Sequence, residues 1–516
     1  MSSAPRRALP ERPDLEQQKK LAKDLLRAYR RSDADATQRI SAALPDKRDI
    51  TLADAQFVLA REYGFASWPA LKEHIEGLAT DRLPPVEQFK QAVRRRDAQS
   101  LRRVLQRFED ARAAINRPIF SFETTSLLAA GNDLDVVNVL LDFGADPDRK
   151  SSWWAGGFHV LYSARGEVAE RLLAAGATPD ACAAAHLDRP ELLAEMLAKD
   201  PSRVHERGGD GKMPLHFARS RRVADMLLAA GADIDARDID HRSSAAEWMV
   251  GGDPDDTRPE LATYLVERGA SADIFLVAAL GLTDRARTML RKDPALLSLR
   301  TSQGAYGEKR PSSFHIYQWT IGPNITPLQT AAKFGKHNTM RAMLEFATLD
   351  QRLLLACHLG DGKVAREIVA RHPRIVEGLK GADRRALTDE AWTANAAAVE
   401  LMLELGFDPS IPSISGPTGG TALHCACWQG SVPCVDAILC YPAGRALLET
   451  KDTTYGGTPL SWTRHGSFNC GDPRADHAGV ARALIAAGAV VPPEMVESEG
   501  SEAFLAVIES AVSRSS

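Results

Sequence analysis

An apolar segment that ends in Gly-Ala-Asp, or in a close variant, recurs along most of this chain and restricts its fold more than any other feature. The copies are VVNVLLDFGADPD (136–148), VAERLLAAGATPD (168–180), VADMLLAAGADID (223–235), LATYLVERGASAD (261–273), VELMLELGFDPS (399–410) and VARALIAAGAVV (480–491). Self-similarity at a period of about 20–50 residues is typical of repeat proteins. Because 516 residues also exceed what one hydrophobic core holds, we expect a repeat array.

A second phrase precedes the first by about twenty residues. Its copies are MPLHFA (213–218), TPLQTAAKFGKH (326–337), TALHCACWQG (421–430) and TPLSWTRHGS (458–467). Thr326, Thr421 and Thr458 stand where a helix N-cap hydroxyl belongs, and Pro327 and Pro459 follow at the first helical position. Each unit is therefore predicted to be a helix–turn–helix. A left-handed C-cap is predicted after each second helix at Gly144, Gly176, Gly231, Gly269, Gly406 and Gly488.

Together the two phrases resemble the ankyrin repeat, a unit of about 33 residues with a T-P-L-H-x-A signature. The resemblance implies an all-α ankyrin-repeat solenoid of about twelve units, whose concave face usually binds protein targets. It also implies that His216 and His424 hydrogen-bond the adjacent turn. Ser461 stands at the equivalent position of the last unit, where this bond must be made differently or not at all. The stretch 274–490 is similar to a bacterial ankyrin subfamily with an IYxWTxG insertion and a YGGTPLxWxxHGS ending. That similarity implies no catalytic mechanism.

The repeat is uneven, and this unevenness defines segments. The units 181–204, 274–297 and 353–376 carry Asp-Pro or His-Pro where Gly-Ala would stand. Near the start, Thr51 and Asp54 predict a helix start and Gly64 a helix break, which indicates either a helical cap or a partner-docking domain. The predicted segments are an N-terminal helical segment (1–82), a first repeat block (83–300), an inserted loop (301–325), a second repeat block (326–491) and a C-terminal capping helix (492–516).

The inserted loop interrupts the array with a stretch that is neither helical nor periodic in its apolar residues. Its part FHIYQWTI alternates in polarity, which favours a strand within a hairpin-like loop. Loops of this length are usually functional or disordered, and Phe314, Tyr317 and Trp319 argue against disorder. Two interpretations remain open: a binding finger that projects over the groove, and a structural insertion.

The last two repeat phrases form a second concentration of aromatic and polar residues. Alignment of Thr421 with Thr458 places Trp428 and His465 at equivalent positions on adjacent helices, which lie about 8–10 Å apart. We therefore expect their side chains to touch or to enclose a ligand. The candidate binding residues are Tyr317, Trp319, Trp428, Tyr455, Trp462, Arg464 and His465. The catalytic candidates are His465, Asp472, His424 and His315, although the repeat itself accounts for His424.

Metal and cofactor chemistry lacks support in the sequence. Cys425 and Cys427 belong to one predicted helix, where residues i and i+2 point to different faces, and their neighbours Cys434, Cys440 and Cys470 do not complete a zinc spacing. We predict small buried thiols instead. No phosphate-binding loop, dinucleotide fingerprint or H-E-x-x-H motif occurs. The prediction is no cofactor and no metal.

Charge and hydropathy limit the partners. The net charge of −4 and the pI of about 6.4 give no global attraction to nucleic acid or to anionic membranes. The first thirty residues lack the apolar run of a signal peptide, and no run reaches the ~18 apolar residues of a membrane span. We expect a cytoplasmic protein, of bacterial origin from its Arg- and Ala-rich composition. It is predicted to bind a protein partner through its concave face and the 301–325 loop. The alternative is a small-molecule-binding or enzymatic site between that loop and His465, Trp462 and Trp428 of the C-terminal repeats.

Overall fold

The structure, a computed structural model, describes residues 7, 9–10, 13, 15–45, 47, 49–80, 83–252, 254, 256–413, 419–497 and 500–515. The predicted segments 1–82 and 492–516 therefore lie partly outside the described residues. The chain forms two compact units, one of residues 1–152 with 158–178 and one of residues 153–157 with 179–516. Within the described ranges the regular structure is helical, and the β-structure consists of the isolated bridges Arg237–Ser244 and Lys309–Ser312.

The first unit begins with the helices of the N-terminal segment. A cluster that includes Leu25, Ile40 and Val58 packs the first three helices together, and the Arg39 guanidinium holds Glu62 through two hydrogen bonds of 2.8 and 2.9 Å. The α-helices of this unit are Leu15–Arg30, Ala34–Ala43, Leu52–Glu62, Trp68–Thr80, Pro85–Arg94, Ala98–Arg107, Glu109–Ala113, Ser126–Ala130, Leu134–Asp142 and Gly166–Ala174.

The predicted helix start and break near residues 51–64 are confirmed. The Thr51 hydroxyl accepts a hydrogen bond from the Asp54 amide, and the Asp54 carboxylate accepts one from the Thr51 amide at 2.9 Å. This reciprocal capping box satisfies two amides that the helix leaves free. Gly64 adopts a φ of 88° between the helices Leu52–Glu62 and Trp68–Thr80.

The second unit is a series of short helices. Its α-helices are Ala181–His186, Pro190–Lys199, Pro214–Phe217, Arg221–Ala229, Ala245–Trp248, Pro259–Glu267, Ile274–Leu280, Thr283–Lys292, Tyr317–Thr320, Pro327–Lys333, His337–Leu344, Leu349–His358, Gly362–Arg371, Ile375–Gly378, Ala386–Trp392, Ala396–Glu404, Ala422–Trp428, Val432–Leu439, Pro442–Arg445, Pro459–Asn469, His477–Ala486 and Glu502–Ser515.

In successive repeats, first helices pack against first helices and second helices against second helices. First helices form a row in which Pro459–Asn469 contacts Ala422–Trp428, and Ala422–Trp428 contacts Ala386–Trp392. Second helices form another row, in the order Ala396–Glu404, Val432–Leu439, His477–Ala486 and Glu502–Ser515. Small or slender side chains such as Ala426, Cys427 and Val480 fill the shared core. Each helix thus buries its apolar stripe against its neighbour, as a repeat array requires.

The predicted helix ends are present. The Thr326 hydroxyl accepts a hydrogen bond from the Gln329 amide at 3.3 Å, and the Thr458 hydroxyl does so from the Ser461 amide at 3.3 Å. In the Asp-Pro units, Asp200 and Asp293 accept bonds from amides two residues on, and so end the helix with an Asx turn. The six predicted C-cap glycines, 144, 176, 231, 269, 406 and 488, have φ between 87° and 109°.

The strand predicted in the inserted loop is wrong. Residues Tyr317–Thr320 form a short helix, and Gly304–Tyr306 form a 3-10 turn. Three successive residues of FHIYQWTI, His315, Ile316 and Tyr317, are buried, so the buried side chains do not alternate as they would in a strand. A short buried run does not by itself distinguish a strand from a helix.

Candidate functional site

The inserted loop is fastened to the protein rather than extended away from it. The Ile316 amide donates to the Ser243 hydroxyl at 3.1 Å, and the Ser313 amide donates to the Asp240 carbonyl at 2.9 Å. The Arg242 guanidinium donates to the carbonyl of Gly307 at 2.7 Å. These bonds hold the loop against the turn 237–244. The loop therefore does not project from the protein as the finger interpretation predicts.

Two of the predicted site residues in the loop are interior. Tyr317 is fully buried and donates its hydroxyl to Asp273 at 3.0 Å, so its ring is not available to a partner. The His315 imidazole lies 3.4 Å from the carboxylate of Glu247. Burial acts to raise the pKa of Glu247, but the contact with His315 and the nearby Arg237 outweigh it and lower that pKa. Both residues stabilise the loop.

Trp319 is the aromatic side chain that the loop exposes. Half of its surface is accessible, at 51%, and its ring meets that of His241 edge-on at a centroid distance of 4.6 Å. The ring contacts of Trp319 run to the turn 237–244, whereas those of the C-terminal candidates run to one another. The structure therefore does not bring Trp319 and His465 together by contact.

Trp462 is a structural residue. It is 5% exposed, and its indole Nε1 donates to the Asp452 carboxylate at 3.0 Å. Gly420 makes room for the ring, because a Cβ at that position would lie 2.6 Å from it. Burial acts to raise the pKa of Asp452, yet hydrogen bonds from backbone amides and from Trp462 lower it. The enclosed Trp462 ring therefore offers little surface to a ligand.

Trp428 and His465 do meet on adjacent helices, at a ring-centroid distance of 5.1 Å. The contacts continue on both sides: Trp392 stacks on Trp428 at 6.2 Å, and Phe468 lies edge-on to His465 at 5.2 Å. We call Trp392, Trp428, His465 and Phe468 the aromatic row. His465 and Phe468 are exposed, and Trp392 and Trp428 are partly exposed.

Two members of the aromatic row, Trp392 and Phe468, are not among the residues predicted from the sequence. Trp392, Trp428 and His465 each stand six residues after the first residue of their helices, which begin at Ala386, Ala422 and Pro459. This register would have identified Trp392, but no Thr-Pro-Leu phrase marks the start of its helix. Phe468 is one helical turn beyond His465 and falls outside the repeat signature.

The polar candidates near the aromatic row differ in their exposure and in their ionic partners. Arg464 is half-buried, and among the described residues no carboxylate pairs with it. Tyr455 is 72% exposed on the turn before the helix Pro459–Asn469. Asp472 pairs with Arg474 at 2.8 Å, which lowers the pKa of Asp472 to about 2. Asp472 therefore interacts with Arg474 rather than with the His465 ring.

His424 is a repeat histidine with a satisfied ring. It is fully buried, and its Nε2 lies 3.1 Å from the Gly457 carbonyl, which can only accept, so Nε2 donates. Its Nδ1 accepts from the Thr421 amide at 3.2 Å. His216 makes the same bond to the Ser243 carbonyl at 3.1 Å. Burial lowers the pKa of both imidazoles, which keeps them neutral in their structural role.

A narrow polar cleft lies where the loop rejoins the repeats. Asn324 donates to Asp389 at 2.5 Å, and His358 hydrogen-bonds Glu390 at 2.8 Å. Burial raises the pKa of Asp389 to about 7, against the opposing charge of Arg300. None of the candidate binding or catalytic residues predicted from the sequence lines this cleft. The polar groups of the cleft are largely paired with one another.

The cysteines follow the prediction in part. Cys425, Cys427 and Cys434 are buried, and burial raises the pKa of the Cys427 thiol to about 12. Cys440 is exposed and Cys470 partly so, contrary to the prediction that the group is buried. Cys440 begins the turn after the helix Val432–Leu439 and so lies beyond its packed face.

Comparison with known proteins identifies one segment. Residues 210–239 match the family model of the ankyrin repeat. This repeat contains the helices Pro214–Phe217 and Arg221–Ala229 and the buried His216. A search of curated proteins found no match to the chain. Across the described ranges, each helix is too short or too polar to span a bilayer.

Proposed function

We propose that this protein is a non-catalytic scaffold that binds a segment of another protein through the aromatic row. The observation that carries the proposal is the continuous contact of four accessible rings across three stacked helices. Aromatic side chains dominate the binding energy of protein interfaces, because they bury a large area at small entropic cost. The stacking of helices further supports an ankyrin solenoid, in which first helices line the concave face.

The partner's chemistry follows from what surrounds the row. The rings offer an apolar and π-rich surface, and Arg464 offers a guanidinium without an ionic partner among the described residues. Adjacent first helices are spaced by about 8–10 Å, which matches three residues of an extended chain at about 3.3 Å each. A segment with apolar side chains three residues apart and one carboxylate therefore fits best.

The inserted loop supplies a second contact through Trp319, which is 51% exposed. The loop's hydrogen bonds to the turn 237–244 hold this indole in place, so little entropy is lost on binding. The alternative of a small-molecule site relies on His465, Trp462 and Trp428, and it loses Trp462, because that ring is enclosed and bonded to Asp452. The cytoplasmic location and the bacterial source stay predictions.

Selection from a displayed library of random peptides tests the proposal. The full chain is the bait, and the double variant Trp428→Ala/His465→Ala is the parallel bait. We expect the wild type to enrich peptides with apolar residues at positions i and i+3, and the double variant to lose them. Enrichment of the same peptides on both baits would contradict the proposal. The circular dichroism of the double variant must match that of the wild type, which we expect because His465 is exposed and Trp428 is partly exposed.

A further inference from the structure

We propose that Asp210, Asp240 and His241 form a binding site for a divalent transition-metal ion. Their ligand atoms all lie within 4.8 Å of one another, close to the largest separation, about 4.6 Å, that two ligands of one ion have at bonds of about 2.3 Å. Two carboxylates and one imidazole suit Mn²⁺ or Zn²⁺ better than the all-oxygen sites of Ca²⁺ and Mg²⁺. The site lies between the ankyrin-matched residues and the inserted loop, apart from the aromatic row.

The orientation of the His241 ring points to a cation. Its Nδ1 lies 2.9 Å from the Phe314 carbonyl oxygen, which can only accept, so Nδ1 carries a proton and donates. Nε2 faces the Asp240 carboxylate at 3.6 Å. On a neutral ring Nε2 has a lone pair, and a lone pair opposite a carboxylate is repelled unless a positive charge lies between them. A backbone carbonyl on the second nitrogen is also the usual support of a metal-bound histidine.

Both carboxylates have oxygens left over. The Asp240 side chain is 7% exposed, and its Oδ1 accepts from the Ser313 amide at 3.1 Å. Among the described residues, no hydrogen-bond donor reaches Asp240 Oδ2 or the Asp210 carboxylate. Asp210 has a long ion pair to Lys212 at 3.5 Å, and the Lys212 ammonium also lies over the Trp248 ring at 4.1 Å. Buried carboxylates are normally paired or bind metals.

The backbone builds the site independently of an ion. Asp210 adopts a φ of 60°, and its carbonyl accepts from the amides of Ile239 and Asp240 at 2.9 and 3.1 Å. The buried Asp240 carboxylate lies near the negative charges of the Asp210 and Asp238 carboxylates. A dication would offset this crowding of negative charge. Because Asp240 and His241 also bond Ser313 and Phe314, the ion would fasten the loop to the repeat.

Mn²⁺ alone, titrated by calorimetry into the full chain, tests the site. This ion is chosen because the thiols of the seven cysteines favour softer metals. The variants are Asp210→Asn, in which Asn tolerates the positive φ, and Asp240→Asn. The matched control is Asp284→Asn, whose carboxylate is fully exposed. Tryptophan fluorescence gives a second readout, since Trp248 and Trp319 lie 5.2 and 4.6 Å from the His241 ring and paramagnetic Mn²⁺ quenches nearby indoles.

We expect one Mn²⁺ site in the wild type and in the control, with quenching that a chelator reverses. Each site variant should bind at least about 10-fold more weakly while it keeps the wild-type circular dichroism. Equal affinity in all four proteins would overturn the proposal. Absence of binding to the wild type would also overturn it. Should one variant fail to fold, the other and the wild-type quenching still decide.

Discussion

The indole of Trp428 lies 5.1 Å from the imidazole of His465, ring centre to ring centre, on the next helix of the array. The contact links two repeat units through one partly exposed side chain, Trp428, and one exposed side chain, His465. Residues that only hold repeats together are buried, as Ala426 and Val480 are. Accessible rings in register on successive helices instead form a surface that a partner can cover.

Trp462→Phe should destabilise the second unit by about 1–3 kcal/mol, because the variant loses the indole bond to buried Asp452. Trp248→Phe should behave alike, since its Nε1 donates to Asp238 at 2.8 Å, also ten residues earlier. Trp392→Phe is the control, because its indole makes no hydrogen bond to the described residues. Thermal unfolding checks this, and an equal shift in all three variants would refute the role given to the indole bonds.

Gly420→Ala should cost about 1–3 kcal/mol, as overpacking does in a filled core. The added Cβ would lie 2.6 Å from the Trp462 ring and 2.9 Å from the His424 Cβ. Gly378→Ala is the matched control, since nothing lies within 4 Å of a Cβ there. Denaturant unfolding followed by circular dichroism measures both. If Gly420→Ala left the free energy of unfolding unchanged, the Trp462 ring would be free to move.

Asp389→Asn should change how stability depends on pH. Burial raises the pKa of Asp389 from 3.8 to about 7, so the folded state favours the protonated carboxyl. Stability from this group is full below about pH 4 and is lost as pH rises to about 7, at no more than about 1.4 kcal/mol per pH unit. Relative to the wild type, the Asp389→Asn variant should therefore become more stable as the pH rises from about 4 to about 7. A melting-temperature difference that is constant from pH 4 to 8 would contradict this.

Tyr317→Ala and Trp319→Ala should separate the two roles that the loop residues play. Tyr317 is fully buried and bonded to Asp273, so its truncation should cost about 3–5 kcal/mol. Trp319→Ala should leave the melting temperature within a few degrees and weaken partner binding several-fold. Thermal unfolding and binding of a selected peptide check both. Unchanged peptide binding in Trp319→Ala would remove the loop from the interface.

Local signals predicted the helix boundaries well. The Thr and Asp caps and the C-cap glycines act within a few residues, so their chemistry is readable in one sequence window. The contact of Trp428 with His465 was also predicted, because alignment of Thr421 with Thr458 transfers the register from one unit to the next. Repeats convert sequence spacing into spatial neighbourhood.

Long-range burial was not predictable in the same way. Tyr317 and Trp319 both belong to an aromatic stretch, and nothing local shows that Asp273, 44 residues away, binds one of them. The Asp210, Asp240 and His241 cluster was missed because the ring of His241 is oriented by Phe314, 73 residues later. The burial of Trp462 is not readable locally for a similar reason, since its enclosure depends on Gly420 in the preceding repeat.

The affinity of a selected peptide for the wild type and for Trp428→Ala, measured by calorimetry, tests the central claim most directly. Val490→Ala is the control, because this side chain is apolar and 63% exposed but lies outside the aromatic row. We predict that Trp428→Ala weakens binding by about 30-fold, the equivalent of about 2 kcal/mol for a central aromatic residue, and that Val490→Ala leaves it unchanged. Equal affinity of the wild type and Trp428→Ala would show that the aromatic row is not the binding surface.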